Sequence, residues 1–326
     1  MKKTLKSILC LTLVAVLCAS FAGCAKMNYI TNGTIKAIHE VKSGEWNQVP
    51  EAEEGSDEDV TVLDTSFEPV TAGGIEFKTL EDVANFYVEA YNYTKTLTAQ
   101  YKENGEEKTY YKLLGEEDLQ VGEVFINGSS NSTVNGLIPT IVGPMFKPNT
   151  YGLVPCSNRN PDYDNNQENI DKGEAETFYD YRTSFFKAED LLDANVVENA
   201  DGTITLTMQP KAQELAMRGE GSQGSFFEVL GDISATVASI NIVKFEQGTP
   251  EENVKVTYKG GVATVTVDPK TKEVLAADYD MEVVVEVNHA SITVIRDKSA
   301  KLTISYKNHY PASNEYLKEK KNIERM

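Results

Sequence analysis

The sequence predicts an α+β protein in which a curved, half-barrel-like antiparallel sheet wraps around one or two helices. The first of three observations lies between positions 275 and 287. There Ala277, Tyr279, Met281, Val283, Val285 and Val287 share one parity, Asp278, Asp280, Glu282 and Glu286 take the other, and only Val284 departs. A strand sends successive side chains to opposite faces, so this is a long strand with one buried face and one acidic, wet face. The second is a wide helical stripe. Thr79-Leu80-Glu81-Asp82 has the form of a capping box, and Leu80, Val83, Ala84, Tyr87, Ala90, Tyr91 and Thr94 follow at helical spacing. Phe86, Tyr93 and Leu97 widen it, which suits a helix embraced by a sheet. The third is a set of turn signals between alternating runs, with Asp201-Gly202 the strongest.

The chain of 326 residues divides into a leader (1–23), a tether with an acidic linker (24–74), one α+β domain (75–312) and a charged tail (313–326). Lys2, Lys3 and Lys6 form a basic start, and an apolar run follows from Ile8 to Ala19. Phe21-Ala22-Gly23-Cys24 then closes the segment, which resembles a bacterial lipoprotein signal whose cysteine receives the lipid. Phe21 stands where such signals usually carry an aliphatic residue. The expectation is a chain on the extracytoplasmic face of the cell membrane, held by Cys24. Of the four cysteines, Cys10 and Cys18 leave with the leader and Cys24 is acylated, so Cys156 is left without a disulfide partner.

Formal charge is −19 and becomes −22 without the three leader lysines. That balance excludes nucleic acid and a polybasic hold on anionic lipid. Glu51, Glu53, Glu54, Asp57, Glu58 and Asp59 crowd one stretch and read as a solvated spacer.

Beyond the 79–97 helix, short strands are expected around 109–114 and 121–126. The 127–173 segment is rich in Gly, Asn, Ser, Pro and Asp, with an apolar stretch at 137–146 that reads as a flap. A hairpin follows at Asp201-Gly202, then a short helical piece after Pro210. Ser225-Phe226-Phe227-Glu228 reads as a second capping box, with Phe226, Leu230, Ile233, Val237 and Ile240 inward. The end reads as a meander with a Gly260-Gly261 turn, the long strand, a last strand stopped by Pro311 and a frayed tail.

Several patterns resemble chemistry. Gly219, Gly221 and Gly224 spell a dinucleotide loop, but no strand leads directly into them. Ser184-Phe185-Phe186-Lys187 matches the S-x-x-K of acyl-serine enzymes without their other motifs. Asp162, Asp164 and Asp171 gather oxygen ligands and form a weak calcium candidate, lacking the glycine and glutamate of an EF-hand. His39, His289 and His309 are scattered, so no zinc site and no cofactor is expected.

The helix run from Thr79 to Asn92, the Lys187-Ala188-Glu189-Asp190-Leu191 stretch leading to Asp201-Gly202-Thr203, and Val267-Asp268-Pro269-Lys270-Thr271-Lys272 together resemble a group of uncharacterised lipoproteins of Clostridia-like Firmicutes. These are scaffold motifs, and the resemblance implies no catalytic residue. The helix-in-sheet layout and the D-P-K-T turn are more distantly similar to Lol-type lipoprotein carriers, which hold acyl chains between sheet and helix. The leading expectation is a non-enzymatic binding or structural lipoprotein, with an apolar ligand lined by Tyr87, Tyr91, Phe86 and Met281. The alternatives are an envelope hydrolase using carboxylates of the 127–173 segment and a surface module for an envelope protein or glycan, the last marked by exposed tyrosines.

Overall fold

A computed structural model gives the fold over residues 63, 66–130, 135, 184, 186–217, 219–240, 243–292 and 295–326. After a small hairpin, β1 (Val70–Ala72) and β2 (Ile75–Phe77), comes the long helix α1 (Leu80–Lys95). Its capping box is closed in both directions. The Thr79 hydroxyl accepts from the Asp82 N–H, and the Asp82 carboxylate accepts from the Thr79 N–H. Two first-turn donors are thereby satisfied, which fixes where the helix starts.

Strands β3 (Thr98–Glu103), β4 (Glu106–Tyr111), β5 (Glu116–Ile126) and β6 (Ser129–Ser130) follow. Then come β7 (Leu191–Glu198), β8 (Ile204–Pro210), β9 (Gln213–Glu214) and β10 (Val243–Phe245). The last group is β11 (Val254–Tyr258), β12 (Val262–Val267), β13 (Val274–Ile292), β14 (Ile295–Tyr310) and β15 (Ile323–Arg325). The main sheet runs β6-β5-β14-β13-β12-β8-β7, antiparallel throughout and open at both ends.

The strand legible from its parity is the spine. At 19 residues, β13 carries β14 along one edge. Its other edge hosts β12, β11 and β10 end to end. This corrects the meander. Gly260-Gly261 joins two strands that share one edge of β13, so the pair bends a nearly continuous strand and does not reverse it. From Tyr258 to Val262 is one residue more than from Val283 back to Asp280 on β13, and that extra residue makes a bulge. Gly261 sits at φ +77°, where a Cβ would come within 3.0 Å of the Asp280 carbonyl oxygen and 3.1 Å of the Phe227 ring.

Other expectations are also corrected. Ser225 does not open a helix, because its hydroxyl donates backward to the Gly221 carbonyl and ends the turn Gly221–Gly224. Gly231 at φ +67° interrupts the stretch before the short helix Ser234–Ala238. The piece after Pro210 is not helical either, since β9 pairs with β11. The tail is not frayed. Its Asn314–Tyr316 helical turn runs into a π-helical turn, Leu317–Lys321, and β15 then pairs with β3.

Two cores result. The larger lies between one face of the main sheet and α1, with Phe226 and Phe227 filling beside them. The smaller joins Tyr101, Tyr110, Leu114, Ala312, Leu317 and Ile323 beside the three-stranded sheet β15-β3-β4.

Candidate functional site

Three of the four residues expected to line an apolar ligand space are part of the aromatic layer under α1 or lie beside it. Tyr87 meets Tyr91 at 5.9 Å between ring centroids, Phe226 at 5.5 Å and Phe186 at 6.3 Å. Its hydroxyl lies 2.9 Å from that of Tyr279 on β13. Met281, two residues further along the same face, is buried in the same core. Phe86 is not brought to this group; it turns to Phe77 on β2, edge to face at 5.4 Å. Burial pushes both the Tyr87 and the Tyr279 phenol far above their ordinary value. The faces of Tyr87 are thus covered by protein side chains.

At the β5 end of the core face the sheet turns polar. Met281, Tyr306 and Leu119 share one row, and Tyr279, Asn308 and Glu117 share the next. Glu117 accepts from the Tyr306 hydroxyl at 3.3 Å, the Tyr316 hydroxyl at 3.3 Å and the Lys321 ammonium at 3.5 Å. Its side chain is only 8% exposed, and burial raises its carboxyl above the ordinary range. Burial likewise raises the Tyr306 phenol, with Glu117 and Glu228 adding to the rise. A carboxylate with that many donors is a fastening point, since buried charge is stable only when paired and hydrogen-bonded.

On the opposite face the acids of β13 meet bases of β14. Asp278 faces His309 at 2.6 Å, Asp280 pairs with Lys307, and Glu286 lies 2.9 Å from Lys301. The acidic face foreseen from parity therefore carries cross-strand acid–base pairs at three positions, while Glu282 stands opposite Ser305. One register row crosses six strands: Asn195, Thr207, Thr264, Asp278, His309 and Glu116. Beside it, Thr205 and Thr266 approach at 3.4 Å between hydroxyl oxygens. The alignment of this row across strands was not legible in the sequence. Its only trace was the Thr-x-Thr alternation of β8 and β12, which parity places on the wet face but cannot align across strands.

The motifs that resembled chemistry have structural uses. Ser184 and Asn92 are tied twice, by Ser184 N–H to the Asn92 side-chain oxygen at 2.7 Å and by the Asn92 amide to the Ser184 carbonyl at 3.1 Å. The Ser184 hydroxyl accepts from the Phe186 N–H, while Lys187 pairs with Glu189. In the glycine loop, the Gln213 side-chain oxygen accepts from the Gln223 N–H at 2.8 Å and the Gly224 N–H at 3.4 Å. Those are the amides a phosphate would need.

A Ser-His-acid grouping that the sequence did not suggest lies at the end of β13. His289 holds Asp297 at 2.8 Å, but the Ser291 hydroxyl donates to Glu246 at 2.5 Å. Those hydrogen bonds, from Ser291 first and then Arg296, keep Glu246 below its ordinary value. A carboxylate stabilised in that way is a poor general base.

Cys24 and the calcium candidates Asp162, Asp164 and Asp171 lie outside the described residues, as do the leader, the acidic linker, Cys156 and the 137–146 stretch. Among the described residues no group of three or more His, Cys, Asp or Glu could hold a metal ion, and no helix is long and apolar enough to cross a membrane. Most described tyrosines are buried, and Tyr93 alone among them is well exposed, at 42%. No protein-family model, no curated protein and no solved structure matches the chain.

Proposed function

We propose that the chain is a lipid-anchored extracytoplasmic binding module without a catalytic role, whose sheet curves around α1 and offers its outer face to a glycan. The row Asn195, Thr207, Thr264, Asp278 and His309 carries this reading. Neighbouring strands lie about 4.8 Å apart, so the row repeats hydrogen-bonding groups along a line of about 20 Å. Asp280 and Glu286 are paired with lysines of β14 and Asp278 with His309, so this face of a strongly acidic chain presents amide and hydroxyl groups beside largely paired acids. Such a surface suits an uncharged, hydroxyl-rich polymer better than a polyanion.

An apolar ligand beneath α1 is the weaker reading, because Tyr91, Phe186 and Phe226 cover Tyr87. The hydrolase alternative rests on carboxylates of the 127–173 segment, which lie outside the described residues, and Glu117, a buried carboxylate outside that segment, is engaged by Tyr306, Tyr316 and Lys321. The lipid anchor rests on the Lys-rich start, the apolar run and Ala22-Gly23-Cys24.

Co-sedimentation of the detergent-solubilised full chain with purified cell-wall glycan tests the binding face. Combining Asn195→Ala, Thr207→Val and Thr264→Val should weaken binding at least about tenfold, equivalent to one or two lost hydrogen bonds. No sedimentation of the unaltered chain, or full binding by the triple variant, overturns the reading. Cys24→Ala tests the anchor separately and should move the chain out of the membrane fraction.

A further inference from the structure

We infer that residues 313–325 form a strap that detaches from the sheet and reattaches as a unit of its own, clamped across the end of β5 by Glu116 and Glu117. Adjacent strand residues point to opposite faces, so these two carboxylates reach around both sides of β5. Both hold the strap. Glu116 accepts from the Ser313 N–H at 3.0 Å and its hydroxyl at 2.9 Å. Glu117, on the core side, accepts from Tyr316 and Lys321 at 3.3 and 3.5 Å.

The remaining attachments are local. Leu317 and Ile323 bury themselves in the smaller core, with Tyr101, Tyr110, Leu114 and Ala312. The pairs Ile323↔Glu103, Glu324↔Lys102 and Arg325↔Tyr101 join β15 to the edge of β3, and Asn104 N–H donates to the Asn322 carbonyl at 3.1 Å. None of the strap's residues belongs to the larger core. Opening it therefore costs a small apolar cluster, three pairs of a short ladder, the side-chain bond from Asn322 to Asn104, the Arg325 bond to the Ala312 carbonyl at 2.8 Å and the Glu116–Glu117 clasp. It leaves the β13 spine untouched, which is the condition for sub-global opening. The open state uncovers the β3 edge and the Glu117 carboxylate together.

Hydrogen exchange on the full chain at constant pH tests this. The amides of Lys102, Asn104 and Glu324, which by strand alternation face the β3–β15 ladder, should exchange together, at least about 100-fold faster than amides of 279–285. Glu117→Ala should speed the strap further, by about tenfold, without changing 279–285, and Glu117→Gln, which keeps the acceptor, should restore most of the protection. Equal protection of strap and spine in the unaltered chain would overturn the inference. So would a Glu117→Ala variant in which the strap is unchanged, or in which strap and spine quicken equally.

Discussion

The hydroxyls of Tyr87 on α1 and Tyr279 on β13 meet at 2.9 Å inside the aromatic layer, where neither side chain reaches solvent. Each is the other's hydrogen-bond partner across the helix–sheet interface, so removing one leaves a buried polar group behind. Tyr87→Phe or Tyr279→Phe alone should destabilise by about 1–3 kcal/mol. The double Phe variant should cost less than the sum of the two, because replacing both partners with apolar groups leaves nothing unsatisfied. Urea unfolding of the four proteins measures the coupling. Strict additivity would mean that the pair contributes packing alone.

The same two residues mark what could be read from the chain. Parity put Tyr279 inward because a half-buried strand announces itself by its alternation, and the Thr79 box with its stripe put Tyr87 inward for the same local reason. Lateral placement was not local. Gly260-Gly261 spells a turn or a bulge with the same two letters, and the length of β13 decides between them by giving β11 and β12 room on one edge. The tail's run of lysines and glutamates hid Leu317 and Ile323, whose burial depends on Tyr101 and Tyr110 some two hundred residues earlier. Glu117, in a Glu-Glu-Asp run, looks solvated until Tyr306 and Tyr316 are known to face it.

Glu117 should set a pH dependence with a definite sign. Burial raises its folded value above the ordinary 4.5, against the pull of Lys321, Tyr316 and Tyr306; Glu228 is the other acid that acts on Tyr306. A carboxyl with a raised folded value contributes stability that is complete below about 4.5 and fades as pH climbs through the folded value. Its ionisation therefore works against the fold on the alkaline side of that window. Glu117→Gln keeps an acceptor for both phenols, so the variant's stability should rise relative to the unaltered chain as pH increases from 4.5. Denaturant midpoints across pH 4 to 7 should show the difference growing, and parallel curves would remove Glu117 as the cause.

The Asp280–Lys307 pair should matter far less. Both side chains are about half exposed, although Asp280, by hydrogen bonding, holds the Lys307 ammonium above its ordinary value. Water and salt screen such a pair, so a double-mutant cycle with Asp280→Asn and Lys307→Gln should give a coupling below about 1 kcal/mol that shrinks in 0.5 M salt. A coupling insensitive to salt would mean that the ladder is shielded by something bound over the outer face.

The glycine loop offers a test that separates packing from phosphate chemistry. A Cβ at Gly224 would fall 1.9 Å from the Met217 carbonyl oxygen, a backbone atom that cannot swing aside. The Gly221–Gly224 turn is also pinned by Gln213, whose side-chain oxygen takes the Gln223 and Gly224 amides. Gly224→Ala should therefore force the turn outward and destabilise by about 1–3 kcal/mol, as overpacking does. Gln213→Leu, which frees the same amides without adding a clash, should also destabilise, by about 1–2 kcal/mol for the lost bonds. Thermal unfolding measures both, and the decisive comparison is with nucleotide present. If the loop is purely structural, millimolar NAD leaves every midpoint where it was. A rise in the midpoint of the Gln213→Leu variant alone would instead identify Gln213 as the side chain that keeps phosphate out of this turn.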